Sequence, residues 1–391
     1  MRFQSYFNTA VALINAYKGD MPLAHYLKQY FVQHKKHGSK DRKQISHVCY
    51  CYYRLGHAFK NVPAEERLKT ALFLCSNSIK EWAILFDGVW LNNHYSSLDE
   101  RIAFIQTIHP FDVLDIFPWQ NELGEGFDAL SFAKSHLVQP DVFLRIRPGK
   151  KDIVSQKLQS ANIDYTAISE TCLALPNTTR IDALLELNKD AVVQDLSSQK
   201  IQIFLDIVRL EPNRKSPISV WDCCAASGGK AILAYDIMQN IQLTVSDIRP
   251  SIIHNLQQRF GEAGIQNYKS FVADLTDTKA VLPDLQYDVI ICDAPCTGSG
   301  TWGRTPEQLY FFSEDKIGEY TALQKKIVHS VIPHIKEQSY FLYITCSVFK
   351  KENEEMAGFI QQQYGLKLIK KELLTGYDKK ADSMFGVLFG R

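Results

Sequence analysis

The chain has 391 residues, more than one ordinary hydrophobic core uses, so two or three domains are expected. Hydrophobic residues make up 46% of it and charged residues 22%, which excludes a disordered chain; the net charge of +1 gives no reason by itself to expect a nucleic-acid partner. No apolar run reaches the roughly 20 residues that span a bilayer, and polar residues interrupt the N-terminal segment. We therefore expect no membrane segment, no signal peptide and a cytoplasmic location.

The charge is unevenly distributed along the chain. Residues 1–70 contain 12 Lys and Arg against four Asp and Glu, a balance of 12 − 4 = +8, so the other residues sum to −7. Such asymmetry is typical of a nucleic-acid-facing module attached to a catalytic domain. A solvated helical surface is the alternative interpretation.

Helical periodicity dominates up to about residue 130. Apolar residues recur at three- and four-residue spacing over 11–17 and 23–31, which predicts two amphipathic helices. A basic loop over 37–43 separates them from the next helix, whose predicted N-cap is Ser39 or Asp41.

From about residue 140 the pattern becomes β-α-β. Residues 143–147 alternate like a strand, 151–161 form an amphipathic helix, and 165–175 again resemble strand. The run is similar to a small RNA-recognition module, although it lacks the aromatic stacking motif of that class.

The C-terminal part predicts a doubly wound, Rossmann-like α/β sheet. Short apolar runs, read as buried parallel strands, alternate with helical segments. These strand candidates are residues 218–221, 243–245, 270–272, 289–292 and 341–344.

A small, glycine-containing loop between the first of these strands and a helix predicts the cofactor site. It lacks the spacing of a dinucleotide fold and the ending of a phosphate loop, which disfavours NAD and ATP and leaves S-adenosylmethionine. Asp247 closes the next strand, where it would hold the ribose, and Asp274 closes the following one, near the adenine. A helix N-cap is the alternative for each carboxylate. The loop residues predicted to contact the cofactor are Cys224, Ala225, Ala226, Ser227, Gly228, Gly229 and Lys230.

Two of the nine cysteines are candidates for catalysis. Cys296, in Asp-Ala-Pro-Cys, and Cys346, in Thr-Cys-Ser, each follow an apolar strand, where parallel sheets present catalytic side chains. A thiol there is a candidate nucleophile. No Cys-x-x-Cys pair occurs, so we predict no metal site, and Cys75, Cys172 and Cys292 are expected to be small core residues.

These motifs together resemble the RsmB/Nop/Sun family of RNA cytosine-5 methyltransferases, over about residues 140–391. Segments 193–199, 351–355 and 384–389 also fit that family, and Asp41-Arg42 and Tyr53-Arg54 are similar to the NusB-like domain of its bacterial RsmB branch. The resemblance implies a class I S-adenosylmethionine methyltransferase domain over 206–391. It would follow an RNA-recognition-like α/β module over 136–205 and an all-α, NusB-like domain over 1–135.

The resemblance also implies the roles of the site residues. Cys346 would add to carbon 6 of the cytosine, Cys296 would assist release, and Asp293 would support ring nitrogen 3 and the exocyclic amine, besides lying at the cofactor. Lys230 would contact the base or a phosphate. The Pro-Cys thiol of DNA methyltransferases is itself the nucleophile, so Cys296 is the alternative for that step.

Three residues depart from the family pattern. Ser227 stands where Pro is usual, which we expect to loosen the cofactor loop, and Arg147 and Ile252 stand where Asn and Arg are usual, which would alter RNA contacts. Trp302 follows the first thiol motif, either stacking on a flipped base or buried in a core.

The expected activity is thus formation of 5-methylcytosine in RNA, in ribosomal RNA first and in tRNA as the alternative, by a monomer. A non-catalytic assembly factor that keeps the fold, and a protein or small-molecule methyltransferase, are the rivals.

Overall fold

The computed structural model describes residues 2–211, 217–277, 280 and 282–391. Within them the α-helices are α1 Arg2–Ala16, α2 Leu23–Gln33, α3 Ser39–Arg54, α4 Ala64–Cys75, α5 Gly88–Asn93, α6 Leu98–Ile108, α7 Ala129–Ser135, α8 Lys151–Ser160, α9 Leu196–Lys200, α10 Gln202–Arg209, α11 Gly229–Met238, α12 Pro250–Glu262, α13 Pro306–Phe311, α14 Asp315–Val331 and α15 Glu354–Tyr364. The strands are β1 Val142–Ile146, β2 Thr166–Ala167, β3 Cys172–Leu175, β4 Ala191–Val193, β5 Ile218–Asp222, β6 Ile241–Asp247, β7 Tyr268–Val272, β8 Tyr287–Asp293, β9 Ile335–Thr345, β10 Lys367–Leu374 and β11 Met384–Gly390. Among the described residues, no helix combines the length and hydropathy needed to cross a bilayer.

The chain divides into two compact units. Unit 1 comprises Met1–Leu123, Phe127–Gln139 and Thr301–Glu314, and unit 2 comprises the rest. Unit 1 therefore includes a segment that follows the first thiol motif in sequence. The predicted division into three domains, at residues 135 and 205, stays a prediction.

Unit 1 contains helices α1–α7 and α13, as the helical periodicity predicts. Several helices begin with a side chain that accepts backbone N–H groups, among them Asp87 at α5, Ser97 at α6 and Asp128 at α7. The predicted cap of α3 was wrong, because Gly38 is its N-cap. Asp41 lies inside the first turn and accepts the Gly38 N–H at 2.8 Å.

Two of the cations counted in the +8 balance are internal to unit 1. The Arg54 guanidinium is buried and donates to the carbonyls of His136, Val138 and Gly303. Arg67, also buried, donates to the carbonyls of Gly56 and Ala58. These two arginines satisfy buried carbonyl groups rather than presenting charge to a partner.

Unit 2 begins with a small antiparallel sheet in the order β2-β3-β1-β4, on which α8 packs through Val154 and Leu158. The strand and helix predicted over 143–161 are confirmed as β1 and α8. The strand-like stretch 165–175 is two short strands rather than one, because the chain turns where Ile168 donates to the Cys172 carbonyl.

The large sheet of unit 2 has seven strands in the order β10-β11-β9-β8-β5-β6-β7. Strands β5 to β9 are parallel and coincide with the five predicted strands, which confirms the doubly wound fold. The antiparallel strands β10 and β11 complete one edge. Apolar side chains cover both faces, with Phe204, Ile232 and Leu256 on one and Val328, Met356 and Ile360 on the other. The strand order reverses between β5 and β8, so their carboxyl ends open into a crevice.

Candidate active site

The loop between β5 and α11 adopts a tight backbone conformation. Ala226 and Gly228 have positive φ angles of 45° and 81°, and a Cβ atom on Gly228 would lie 2.7 Å from Phe260. The Ala225 N–H donates to the Ser246 carbonyl at 2.9 Å, which ties the loop to β6. A Cβ atom at Gly229, by contrast, would meet no atom within 4 Å. The start of α11 thus offers free space beside backbone N–H groups, which suits a ligand that approaches the main chain closely.

Ser227 is tied down in this loop, contrary to the expectation that it loosens it. The Arg259 guanidinium on α12 donates to both the hydroxyl and the carbonyl of Ser227, at 2.9 and 3.0 Å. The same side chain donates to Asn188 at 2.7 Å. Arg259 therefore holds Ser227 in place and links the cofactor loop to α12.

The two predicted cofactor carboxylates lie in different settings. Asp247 ends β6, is buried, and accepts the Ala226 N–H at 3.2 Å and the Arg249 N–H at 3.0 Å. The structure therefore brings Asp247 against the loop. Asp274 instead accepts the N–H and hydroxyl of Thr276, which lower the pKa of its carboxyl group. Asp274 thus caps a turn, not the helix of the alternative interpretation, and its place near the adenine stays a prediction.

The two candidate thiols meet where the neighbouring parallel strands β8 and β9 end. Asp293 pairs with Ile344 in that ladder, so the residues that follow each strand lie at one edge. The Sγ atoms of Cys296 and Cys346 are 3.4 Å apart. The hydrogen bond with Cys346, together with burial, raises the pKa of Cys296 well above its usual value. Cys296 therefore remains a protonated thiol beside Cys346.

Lys230 and Asp293 join the thiols at this edge. The Lys230 Nζ lies 3.0 Å from the Asp293 carboxylate, and the lysine side chain is only 10% exposed. Burial works against its charge, but the charge of Asp293 and its hydrogen bond to Lys230 raise the pKa of the lysine. All three predicted catalytic residues and the last residue of the cofactor loop thus form one cluster.

Gly300 holds the two thiol loops in close approach. Its N–H donates to the Cys346 carbonyl at 2.8 Å, and its own carbonyl accepts the Ser383 N–H at 2.9 Å. A Cβ atom here would lie 2.1 Å from the Ser383 carbonyl oxygen, so the position excludes any larger residue.

Sequence reasoning missed the residues that support these loops. Glu352 and Asn353 are both fully buried, and they hydrogen-bond to residues adjacent to Cys296 and Cys346. In the sequence, the stretch 351–355 carries only a similarity to the family. A run of acidic residues with one Asn is typical of the solvent-exposed first turn of a helix. The sequence therefore does not indicate that Glu352 and Asn353 are buried.

Three further thiols lie beside the site. The Sγ atoms of Cys223, Cys224 and Cys292 are within 4.8 Å of one another, the only such ligand group found among the described residues. They pack in the apolar core on one face of the sheet, where three thiolates would be costly. We therefore interpret them as core residues, as predicted for Cys292.

Two other predicted contact residues are engaged inside the protein. Trp302 is 1% exposed within unit 1 and packs against Phe117, Trp119 and Phe312, so it belongs to an aromatic core.

Arg147 forms a buried ion pair with Asp236 on α11, at 2.6 Å. Its guanidinium thus links the residue after β1 to α11, and the expectation that Arg147 alters RNA contacts stays a prediction. For Ile252 the structure gives no comparable interaction.

Part of the chain is similar to known methyltransferases. Residues 207–385 match the family model described as 16S rRNA methyltransferase RsmB/F. The probable ribosomal RNA small subunit methyltransferase B of Bacillus subtilis is 25% identical over 244 residues, 61% of this chain and 53% of that protein. The ribosomal RNA small subunit methyltransferase B of Xanthomonas campestris is 27% identical over 248 residues, 61% of this chain and 54% of that protein. The chain thus matches about half the length of these relatives.

Solved structures share the fold over a larger part of the chain. The crystal structure of PH0851 has a TM-score of 0.69 at 20% identity, covering 98% of this chain and 97% of that one. The structure of NSun6 from Pyrococcus horikoshii with SFG has a TM-score of 0.59 at 14% identity, covering 70% of this chain and 96% of that one.

Proposed function

We propose that this chain, whose residues 207–385 match the 16S rRNA methyltransferase RsmB/F family model, is a member of the RsmB/Nop/Sun family and forms 5-methylcytosine in RNA by covalent catalysis. The observation that carries the proposal is the pair of thiols 3.4 Å apart beside the Lys230–Asp293 ion pair. Ribosomal RNA is the proposed substrate, since the family model and the curated relatives carry that name.

The residues of the loop fit S-adenosylmethionine. The free space at Gly229 admits a ligand against the main chain, and Asp247 lies against the loop, at the end of the next strand, where a ribose would be held. Asp274 is proposed to bind near the adenine, and Cys224, Ala225, Ala226 and Ser227 to line the loop. When bound, S-adenosylmethionine supplies an electrophilic methyl group.

The chemistry requires a nucleophile because carbon 5 of cytosine does not attack a methyl sulfonium unaided. The Cys346 thiolate forms a bond to carbon 6, and the electron pair released makes carbon 5 enamine-like. Carbon 5 could then accept the methyl group that the cofactor would supply, and the proton of its C–H bond would later pass to a water molecule. The electron pair of that C–H bond re-forms the double bond, and Cys346 leaves as the thiolate.

The neighbouring groups support each stage. Asp293 accepts a hydrogen bond from the exocyclic amine and stabilises the proton that ring nitrogen 3 takes up from water as negative charge builds on the ring, while Lys230 holds its carboxylate in place. Cys296 stays protonated during the attack and assists release afterwards, in agreement with its raised pKa. This assignment favours Cys346 over Cys296 as the nucleophile.

The test is methyl transfer from labelled S-adenosylmethionine to in vitro transcribed 16S rRNA and, separately, to bulk tRNA, with nucleosides identified by mass spectrometry. We expect 5-methylcytosine in the ribosomal RNA with the wild type and none with Cys346→Ala. Cys172→Ala, a buried cysteine of the small sheet, serves as the control and should retain activity. Methylation of tRNA alone would correct the substrate, and cofactor binding without methylation of either RNA would favour an assembly factor.

A further inference from the structure

A buried carboxylate lies between the two thiol loops. Glu352 is fully buried, and its Oε1 atom accepts the Thr297 N–H and the Gln324 side-chain amide, each at 3.0 Å. Its Oε2 atom accepts the Thr297 hydroxyl at 2.6 Å and also the Ser347 hydroxyl. Thr297 follows Cys296 and Ser347 follows Cys346, so one carboxylate contacts the residue next to each thiol.

The adjacent residues extend this arrangement on both sides. The Asn353 side chain donates to the Ser347 carbonyl at 2.9 Å and accepts the Thr345 hydroxyl, which fixes the two neighbours of Cys346. From α14, Gln324 donates to the Pro295 carbonyl at 3.1 Å, just before Cys296. The chain is therefore held immediately before and after both thiols.

The cost of burying Glu352 indicates that these contacts are specific. A carboxylate removed from water is unfavourable unless hydrogen bonds satisfy it, and four donors do so here. Burial raises the pKa of Glu352, and the hydrogen bonds from Ser347 and Thr297 oppose that rise. An apolar residue at this position would fill the space without directing either loop.

We propose that Glu352 is a positioning residue that sets the separation and orientation of the Cys296 and Cys346 thiols through Thr297 and Ser347. The effect of this positioning on catalysis rests on the methyl-transfer function proposed above. Glu352 hydrogen-bonds to Thr297 and Ser347 rather than to the thiols, so it sets the thiol positions through the loops that carry them.

The chain offers a matched control two residues away. Glu354 begins α15, is partly buried, and accepts the Glu125 N–H at 3.1 Å. The charges that act on its carboxylate are those of Lys371 and Glu125, which lie outside both thiol loops. Glu354→Ala thus removes the same side chain from the same segment without disturbing Thr297 or Ser347.

Capture by phenylarsine oxide reports thiol spacing without RNA or cofactor. One arsenic atom forms two As–S bonds with two adjacent thiols, and the oxygen leaves as water with both thiol protons. Peptide mapping assigns the capture to Cys296 and Cys346, since the cluster of Cys223, Cys224 and Cys292 is a second possible site. Because the reaction needs no RNA, its outcome is independent of whether the proposed methylation is found.

We expect Glu352→Ala to capture the reagent on the order of 10- to 100-fold more slowly than the wild type, and its kcat to fall by a similar factor with little change in KM. Glu354→Ala should match the wild type. Glu352→Gln should restore most of the capture rate, because its amide oxygen can accept the two N–H groups while the hydroxyls of Thr297 and Ser347 turn to accept from its NH₂ group.

Wild-type capture by a folded Glu352→Ala protein would overturn the proposal, as would equal loss in Glu354→Ala. Should Glu352→Ala fail to fold, Thr297→Val decides, since it removes one donor to Glu352 and keeps the side-chain shape. Slower capture by Thr297→Val supports the proposal, and an unchanged rate contradicts it.

Discussion

At the residue scale, the assignment of the two thiols rests on the protonation of Cys296. Two thiols 3.4 Å apart do not both ionise readily, because the first negative charge disfavours the second. The raised pKa of Cys296 keeps that residue protonated, which leaves Cys346 to attack. From the sequence, both cysteines could be placed at strand ends, but the nucleophile had to be chosen by family resemblance.

His136 gives a prediction on stability against pH. It is buried in unit 1 and packs on Phe117 and Phe132, and burial lowers its pKa to about 4. Because the folded pKa lies below the unfolded value of about 6.5, the neutral ring stabilises the fold fully above pH 6.5, and this contribution is lost as pH falls toward 4.

We therefore expect the free energy of unfolding in urea to fall between pH 7 and pH 5, by about 2 kcal/mol from this residue. His136→Phe keeps the ring contacts and removes the titration, so its stability should depend less on pH. Parallel pH profiles for the wild type and this variant would show that His136 does not contribute.

At the element scale, the sequence predicted the strands in which nearly all central side chains are buried. Strands β5, β6, β8 and β9 have buried apolar cores that read directly as parallel strands. Strand β10 was not predicted, because it is an edge strand, Lys-Leu-Ile-Lys-Lys-Glu-Leu-Leu, with mostly exposed or half-exposed side chains. The supporting role of Glu352 and Asn353 was missed because it depends on tertiary contacts, with partners up to 55 residues away in sequence.

The turn between α2 and the start of α3 gives a prediction on RNA binding. Exposed cations concentrate there, namely Lys35, Lys36, Lys40, Arg42 and Lys43. If this surface binds phosphates, replacing the four lysines by Gln should weaken RNA binding and flatten its dependence on salt. The slope of log K against log salt should fall by about 0.7–0.9 for each lysine–phosphate interaction that the substitutions remove.

Neutralising four exposed lysines near the C-terminus is the control for this experiment and should leave the slope unchanged. These are Lys367, Lys371, Lys379 and Lys380. Equal effects of the two sets would mean that the turn has no special part in binding, and that the charge asymmetry reflects only a solvated helical surface.

At the scale of the whole molecule, hydrophobic periodicity predicted a helical N-terminal part and an α/β C-terminal part. They did not show that Thr301–Glu314 groups with unit 1, because that depends on tertiary contacts such as the packing of Trp302 among Phe117 and Trp119. Nor did a count of charges separate surface lysines from Arg54 and Arg67, whose guanidinium groups serve buried carbonyls.

The most direct test of the central claim is a trap for the covalent intermediate. Cys296→Ala is incubated with S-adenosylmethionine and 16S rRNA and examined by denaturing gel electrophoresis. Loss of the release residue should leave a slow-migrating, nuclease-sensitive protein–RNA adduct, which disappears when Cys346 is also replaced by Ala. An adduct that persists in the double variant, or that forms with Cys346→Ala alone, would contradict the assignment of Cys346 as the nucleophile. So would the absence of any adduct while the wild type methylates the RNA.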